Sequence, residues 1–191
     1  MTAPKPILTI IAGANGAGKS TFTRATSEAL QVRVVDPDTE ALRVRPDNPE
    51  AAAIAGGRLA IRRARAYLDS GESFAVETTL SGNTYLRMMA EAKRKGWLVF
   101  LIYVGVDNVQ TCIERVALRV AAGGHNVPEA DIRRRYARSL ANLVLAIQQA
   151  DSTLLFDNST EAGHRQLLTL ENGIVTQKAR ELPEWIKTLL P

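Results

Sequence analysis

The stretch ILTIIAGANGAGKST, Ile7–Thr21, decides the fold. Its opening ILTIIA is a mainly apolar run of strand-forming residues, as expected of a strand buried on both faces. GANGAGKS, Gly13–Ser20, then matches the pattern G-x-x-x-x-G-K-[ST] at every fixed position. The helix-compatible segment STFTRATSEAL follows directly. Strand, glycine-rich turn and helix in that order make a phosphate cradle: the curled backbone turns successive N–H groups inward, and the helix N-terminus adds its positive end. The expected nucleotide-binding residues are therefore Gly13, Ala14, Asn15, Gly16, Ala17, Gly18, Lys19, Ser20 and Thr21. Lys19 is expected to reach the β- and γ-phosphates of ATP, and the Ser20 hydroxyl to bind Mg²⁺.

Outward from this loop, strand-like and helix-like segments alternate to the end of the chain. Strands are predicted at Ile7–Ala12, Val32–Val35, Ser73–Glu77, Trp97–Val104 and Thr153–Phe156, with helices near 19–30, 50–70, 83–95, 107–121 and 131–149. The expectation is an α/β fold, a three-layer P-loop NTPase-type sandwich around a mainly parallel five-stranded sheet. Asn172-Gly173, inside LLTLENGIVTQ, predicts a C-terminal β-hairpin with a tight type I′ turn. A short helix is expected over Pro183–Leu190. AAGGHNVP, 121–128, reads as a hinge between two helices, and a lid is expected over about 119–138.

Composition narrows the class. The 191 residues fit one domain, 1–191, with 46% hydrophobic and 23% charged residues, ordinary for a soluble globular protein. A single cysteine, Cys112, excludes an internal disulfide framework, and two histidines argue against a histidine-rich metal site. The longest apolar stretch, Trp97–Val106, is too short to span a bilayer, and no signal-peptide pattern precedes the first strand. A cytoplasmic chain without a membrane partner is expected, and nothing in the few residues before that strand predicts a fused inhibitory domain. The net charge is +4, yet 18 arginines stand against 6 lysines, and the arginine fork suits phosphate and carboxylate groups.

Two acidic turns add the chemistry. VVDPDTE sets Asp36 and Asp38 just past the end of the second strand, and SFAVETTLSG sets Glu77, Thr78 and Thr79 just past the end of the third. In open parallel sheets ligands sit at the carboxyl ends of the strands, so these groups should converge on the phosphate loop. A carboxylate there can take the proton of an acceptor hydroxyl. The neighbouring Thr78 and Thr79 hydroxyls with Glu77 suit recognition of a polyol or sugar. DPD is equally a turn and helix cap, with Asp38 as the capping residue.

The arginines supply counter-charge. On 107–121 the apolar stripe is Val109, Ile113, Val116 and Val120, with Arg115 and Arg119 along one flank. On 131–149 the stripe is Ile132, Tyr136, Leu140, Leu143 and Ile147; Arg135, Ser139 and Asn142 line one flank, while Arg134 and Arg138 point most nearly away. Two helices bordering a glycine loop thus carry arginines where a lid would close over a transferring phosphoryl group. Arg58, Arg62, Arg63 and Arg65 read as a solvated face, and His164 and Cys112 as structural residues. Asp157-Asn158-Ser159 reads either as a contact to the adenine side or as a turn.

Taken in order, GANGAGKST, DPD, ETT and GGHNVPEADIRRRYARSL resemble the zeta-toxin family of P-loop kinases, particularly its shorter bacterial members, over about Gly13–Ser159. The resemblance implies ATP-dependent phosphorylation of a hydroxyl, in the best-known members on the amino-sugar of UDP-N-acetylglucosamine. It makes Asp38 the general base, and Glu77 and Thr79 acceptor-binding residues. Arg115 or Arg119, with Arg135 or Arg138, become the lid arginines, and Arg119, Arg135 and Arg138 join Lys19 and Asp38 as catalytic candidates. It also implies an antitoxin that blocks the ATP site. The chain departs from the classical pattern in its shorter length, in His125 near an expected second lid arginine, and in the ETTLSG loop.

The leading expectation is an ATP-dependent small-molecule kinase with an alcohol acceptor, such as a UDP-activated amino-sugar. Its alternatives are a kinase for another metabolite or antibiotic hydroxyl, a nucleic-acid-associated ATPase or 5′-hydroxyl kinase, and a nucleotide-dependent binding module. With ten aromatic residues and a small net charge, the sequence argues against nucleic acid.

Overall fold

The structure, a computed structural model, describes residues 4–30 and 32–187, and the side chains of 27–30 are not considered. Strand β1, Ile7–Ala12, is the axis of the sheet. It pairs in parallel with β3, Phe74–Thr78, on one side and β4, Leu98–Gly105, on the other. Beyond β3 lies β2, only Val34–Val35, and beyond β4 lies β5, Ser152–Asp157; both pairings are parallel. Strands β6, Arg165–Glu171, and β7, Ile174–Lys178, form the expected hairpin, with positive φ at both Asn172 and Gly173. The hairpin is not separate from the sheet. β6 pairs antiparallel with the outer edge of β5, so the five expected strands grow to seven in the order β2-β3-β1-β4-β5-β6-β7.

Period-two alternation along β1 assigns the two faces. Leu8, Ile10 and Ala12 join Phe74, Val76, Leu101 and Tyr103 in one core. That core is closed by α3 (Ala53–Ser70), α4 (Thr84–Arg94) and α6 (Glu129–Gln149), through residues such as Leu68, Met89 and Leu143. Ile11, Ala75 and Ile102 face the other way, toward Phe22 of α1, Lys19–Leu30. Each fully buried Leu or Ile contributes about 1.5–3 kcal/mol relative to exposure, so this alternation fixes the register. The result is the expected three-layer sandwich.

Several local expectations are corrected. A separate helix, α2, spans Pro37–Val44, and its N-cap is Asp36, not Asp38. Arg63 is not merely solvated: with Arg43 it pairs with Glu40, a carboxylate only 2% exposed on α2, at 3.3 and 2.7 Å. Helix α5, Val109–Ala121, buries Cys112 and Val116, while Val120 is 38% exposed, so its core stripe is rotated from the expected one. Helix α7, Glu184–Lys187, packs back through Trp185, whose Nε1 donates to Asp157 Oδ1 at 3.0 Å; the rest of the expected C-terminal helix lies outside the described residues. Among the described residues no helix is long and apolar enough to cross a membrane.

Candidate active site

The connection after β1 runs past β3 to β2, and the connection after β3 runs back past β1 to β4, so the loop after β1 lies where the strand order reverses. Two glycines there are obligatory. Gly13 has φ +145°, and a Cβ on it would stand 2.2 Å from the Val104 carbonyl oxygen. Gly18 has φ +96°, and its Cβ would stand 2.2 Å from Nδ2 of Asn158. Lys19 opens α1 and folds over the loop, its Nζ donating to the Ala14 carbonyl at 2.9 Å. Burial holds its ammonium pKa below the usual lysine value, partly offset by Glu77 and Asp38 nearby.

Glu77, at the end of β3, is buried and held by both oxygens. Ser20 Oγ donates to Oε1 at 2.8 Å and Thr23 Oγ1 donates to Oε2 at 2.9 Å. This ties Glu77 to the hydroxyl expected to bind Mg²⁺, a placement different from the purely acceptor-binding one. Hard oxygen donors of this kind, one hydroxyl and one carboxylate, fit Mg²⁺ shared with substrate phosphates.

The structure separates the two aspartates of DPD. Asp36 caps α2: Oδ1 accepts from the Asp38 N–H at 3.2 Å, and Oδ2 accepts from the Thr39 N–H at 3.0 Å and its hydroxyl at 2.7 Å. The Asp38 carboxylate is exposed and makes no hydrogen bond to the described residues. In the ETT loop, Thr78 Oγ1 accepts from the Leu80 N–H at 3.0 Å, and Thr79 shares a hydrogen bond with Ser81 at 2.9 Å. Leu80 is buried with φ +54°, a strained conformation for a branched side chain. Asn142 of α6 holds it there by donating to the Leu80 carbonyl at 2.7 Å.

Two cavities open around these groups. One, of about 370 Å³, runs along Gly16, Gly18, Ser20 and Thr21 with Arg24, Arg115, Arg119 and Asn158. The other, of about 460 Å³, lies between Pro37, Glu50 and Ala53, Thr78 and Thr79, and the segment His125–Asp131 with Arg135. They share Asn15, Lys19, Asp38 and Glu77. Ser20 and Thr21 thus face the first cavity, Thr78 and Thr79 the second, and Asp38 the junction.

The arginines divide. Arg115 Nη1 donates to the Asn158 carbonyl and Arg119 Nη2 to the His125 carbonyl, both at 2.7 Å, and the Arg119 Nε is buried without a partner. Arg135 reaches Asn15 Oδ1 and Asp131 Oδ2, each at 3.4 Å. Arg138 lines neither cavity, because it lies with Ala137 on the solvent face of α6, away from the buried Ile132 and Ser139. The loop after α5 is fastened across the second cavity: Glu50 Oε1 accepts from the Asn126 N–H at 2.8 Å and lies 3.8 Å from Nδ1 of His125.

The rear of the phosphate loop is closed by residues that carry little local sequence signal. Asn158 Nδ2 donates to the Ala17 carbonyl at 2.8 Å, and His164 Nε2 lies 3.1 Å from the Gly18 carbonyl. The His164 ring also meets Phe22 edge-on at 5.4 Å between centroids. Asn158 was legible as a turn at a strand end; His164, on the approach to the hairpin, carried no local signal. Thr23 carries no such signal either, and Asn142 only its place beside Arg135 on a helix flank.

Fold and loop together define a chain with the α/β P-loop NTPase-type fold. The sequence family described as an AAA domain matches residues 8–140, and the chain belongs to that family. An uncharacterized protein of Haemophilus influenzae (strain ATCC 51907 / DSM 11121 / KW20 / Rd) is 38% identical over 124 residues, 65% of this chain and 88% of that protein. Among solved structures, a chain of the AvrRxo1-ORF1:-ORF2 complex with ATP superposes with a TM-score of 0.71 at 17% identity, over 96% of this chain and 62% of that one. This chain therefore spans less than two thirds of that protein's length. A chain of the PezAT chromosomal toxin-antitoxin system of Streptococcus pneumoniae gives 0.62 at 15% identity, covering 99% and 84%. A chain of the Pnkp1/Rnl/Hen1 RNA repair complex gives 0.59 at 20%, covering 74% and 46%. At these identities the likeness is one of fold.

Proposed function

We propose that the protein is an ATP-dependent phosphotransferase that moves the γ-phosphate to an alcohol of a small molecule. The observation that carries this reading is the Asp38 carboxylate, without a hydrogen bond among the described residues and set where the two cavities join beside Lys19. The first cavity, with the phosphate-loop N–H groups, Arg115 and Arg119, suits the triphosphate; the second suits the acceptor. Asp38 accepts the proton of the acceptor hydroxyl as that oxygen bonds to the γ-phosphorus and the bond to the β-phosphate oxygen breaks, leaving ADP. Lys19 and Arg135 hold the charge of the moving phosphoryl group from either side. Ser20, with Glu77 beside it, would hold Mg²⁺, which when bound neutralises charge between the β- and γ-phosphates.

The ordered motifs make the zeta-toxin family the model for this chemistry, with a nucleotide-bound amino-sugar as its acceptor, residues 119–138 as the lid, and a protein antitoxin over the ATP cavity as partner. The test is incubation of the protein with γ-labelled ATP, Mg²⁺ and a metabolite extract, followed by mass spectrometry of phosphorylated products. A labelled small molecule, lost with Asp38→Asn, is the expected result. Release of inorganic phosphate alone, or no turnover, overturns the reading. Label on oligonucleotide ends, in a reaction that weakens steeply with salt, would move the protein to the nucleic-acid class.

A further inference from the structure

We propose that the acceptor is a cationic alcohol, a small hydroxyl compound bearing a protonated amine, because the acceptor cavity is walled by carboxylates while the adjoining triphosphate cavity is walled by arginines. This rests on the phosphotransferase reading and replaces the anionic nucleotide-sugar of the zeta-toxin model with a cationic acceptor.

The two cavities share Lys19, Asp38 and Glu77 and differ in everything else that carries charge. The triphosphate cavity adds Arg24, Arg115 and Arg119 and no further carboxylate. The acceptor cavity adds Asp36, Glu50 and Asp131 against Arg135 alone, with His125 beside Glu50. Hydrogen bonds within the protein occupy several of these carboxylates without removing their charge. Asp36 is spent on the α2 cap and Glu77 on Ser20 and Thr23. Asp131 pairs with Arg134 at 2.6 Å, on the outer side, and with Arg135 at 3.4 Å. The one added cation of the cavity wall is thus already faced by a carboxylate.

An anionic acceptor, such as a nucleotide-sugar diphosphate, would enter between Glu50, Asp131 and Asp38 with Arg135 as its one unshared-cavity counter-ion. An ammonium group on the acceptor would meet Glu50 or Asp131 on the outer wall while its hydroxyl stands at Asp38. A bound triphosphate adds negative charge on the far side of the junction and favours the cation further. The cavity volume, about 460 Å³, accommodates a compound of one or two rings. The Thr78 and Thr79 hydroxyls, already bonded locally to Leu80 and Ser81, keep lone pairs for sugar-like hydroxyls.

The experiment separates a metabolite extract by ion exchange into cationic, neutral and anionic pools. Each pool is incubated with the full chain, Mg²⁺ and γ-labelled ATP. The expected result is label in the cationic pool at roughly 10-fold or more over the anionic pool. Label mainly in the neutral or anionic pool overturns the assignment and leaves the phosphotransferase standing. Label in no pool, with ATP binding intact, overturns both. The labelled compound is then compared with its N-acetylated, uncharged form in wild type, Glu50→Gln and Asp131→Asn, each variant first shown to bind an ATP analogue. The preference for the amine should fall about fivefold in each variant; an unchanged preference in both overturns the role given to these carboxylates.

Discussion

The two halves of the site are built in opposite ways. The half proposed to take the triphosphate is backbone held from behind: Gly13 lies against the Val104 carbonyl, and Asn158 and His164 bond the Ala17 and Gly18 carbonyls. The half proposed for the acceptor is side chains drawn from four separate segments, after β2, between α2 and α3, after β3 and around the start of α6, and its outer wall is fastened through Glu50 to the Asn126 N–H. Phosphate needs only a fixed set of N–H donors and nearby cations, so a rigid cradle serves it. An acceptor must enter, be distinguished and leave, which favours a wall made of exposed, separately tethered residues.

The two halves meet at Asp38, where a single substitution has the greatest effect. Asp38→Asn should reduce phosphate transfer roughly 10²–10⁴-fold while leaving ATP affinity nearly unchanged, as measured by single-turnover labelling beside titration with a fluorescent ATP analogue. Asp36→Asn should act differently, since an asparagine still caps the helix and Asp36 makes no free carboxylate contact. Equal losses in both variants would show that the two aspartates have not been separated as the structure divides them.

The next effect distinguishes arginines on one helix. Arg135→Ala should cost about 10²-fold in transfer if it holds the moving phosphoryl group. Arg138→Ala, on the solvent face of α6, should change transfer by less than about twofold and thermal stability by under roughly 0.5 kcal/mol. A large loss in Arg138→Ala would place that side chain over the cavity during turnover and redraw the proposed lid.

What the sequence revealed follows the same division. Gly13–Ser20 carried the triphosphate half almost completely, because backbone recognition is written in glycines at fixed spacing. The five parallel strands were readable because burial on both faces leaves continuous apolar runs. The acceptor half was readable only as a list of polar residues after strands. Which aspartate caps α2 depends on a turn geometry that both Asp36 and Asp38 could have supplied. Glu50 and His125 lie 75 positions apart, and nothing local to either predicts that they meet. The edge pairing of β6 on β5 is likewise a long-range choice that the Asn172-Gly173 turn specifies only in part.

A smaller effect is expected behind the phosphate loop. Asn158→Ala removes one buried-side hydrogen bond to Ala17, which should cost about 0.5–1.5 kcal/mol in denaturant unfolding and weaken ATP binding a few-fold. No change in ATP affinity, with the stability loss intact, would mean that the cradle keeps its shape without support from the β5 turn.

The smallest effect tests rigidity itself. Cys112 lies directly under the loop: a Cβ on Gly16 would stand 2.5 Å from the Cys112 carbonyl oxygen, and the side chain is 0% exposed. Burial pushes its thiol up to about 11 from an ordinary 9.0, only partly countered by Lys19 and Arg115. At pH 8 the native thiol should therefore resist iodoacetamide for hours and react fully once denatured, as read by mass spectrometry. The raised value also sets a sign: the unfolded thiol ionises first, so stability from this group is complete below about pH 9 and is lost as pH rises toward 11. Rapid native labelling at pH 8 would show that α5 and the loop part frequently, and the contrast between a fixed triphosphate half and an adaptable acceptor half would then fail at its firmer end.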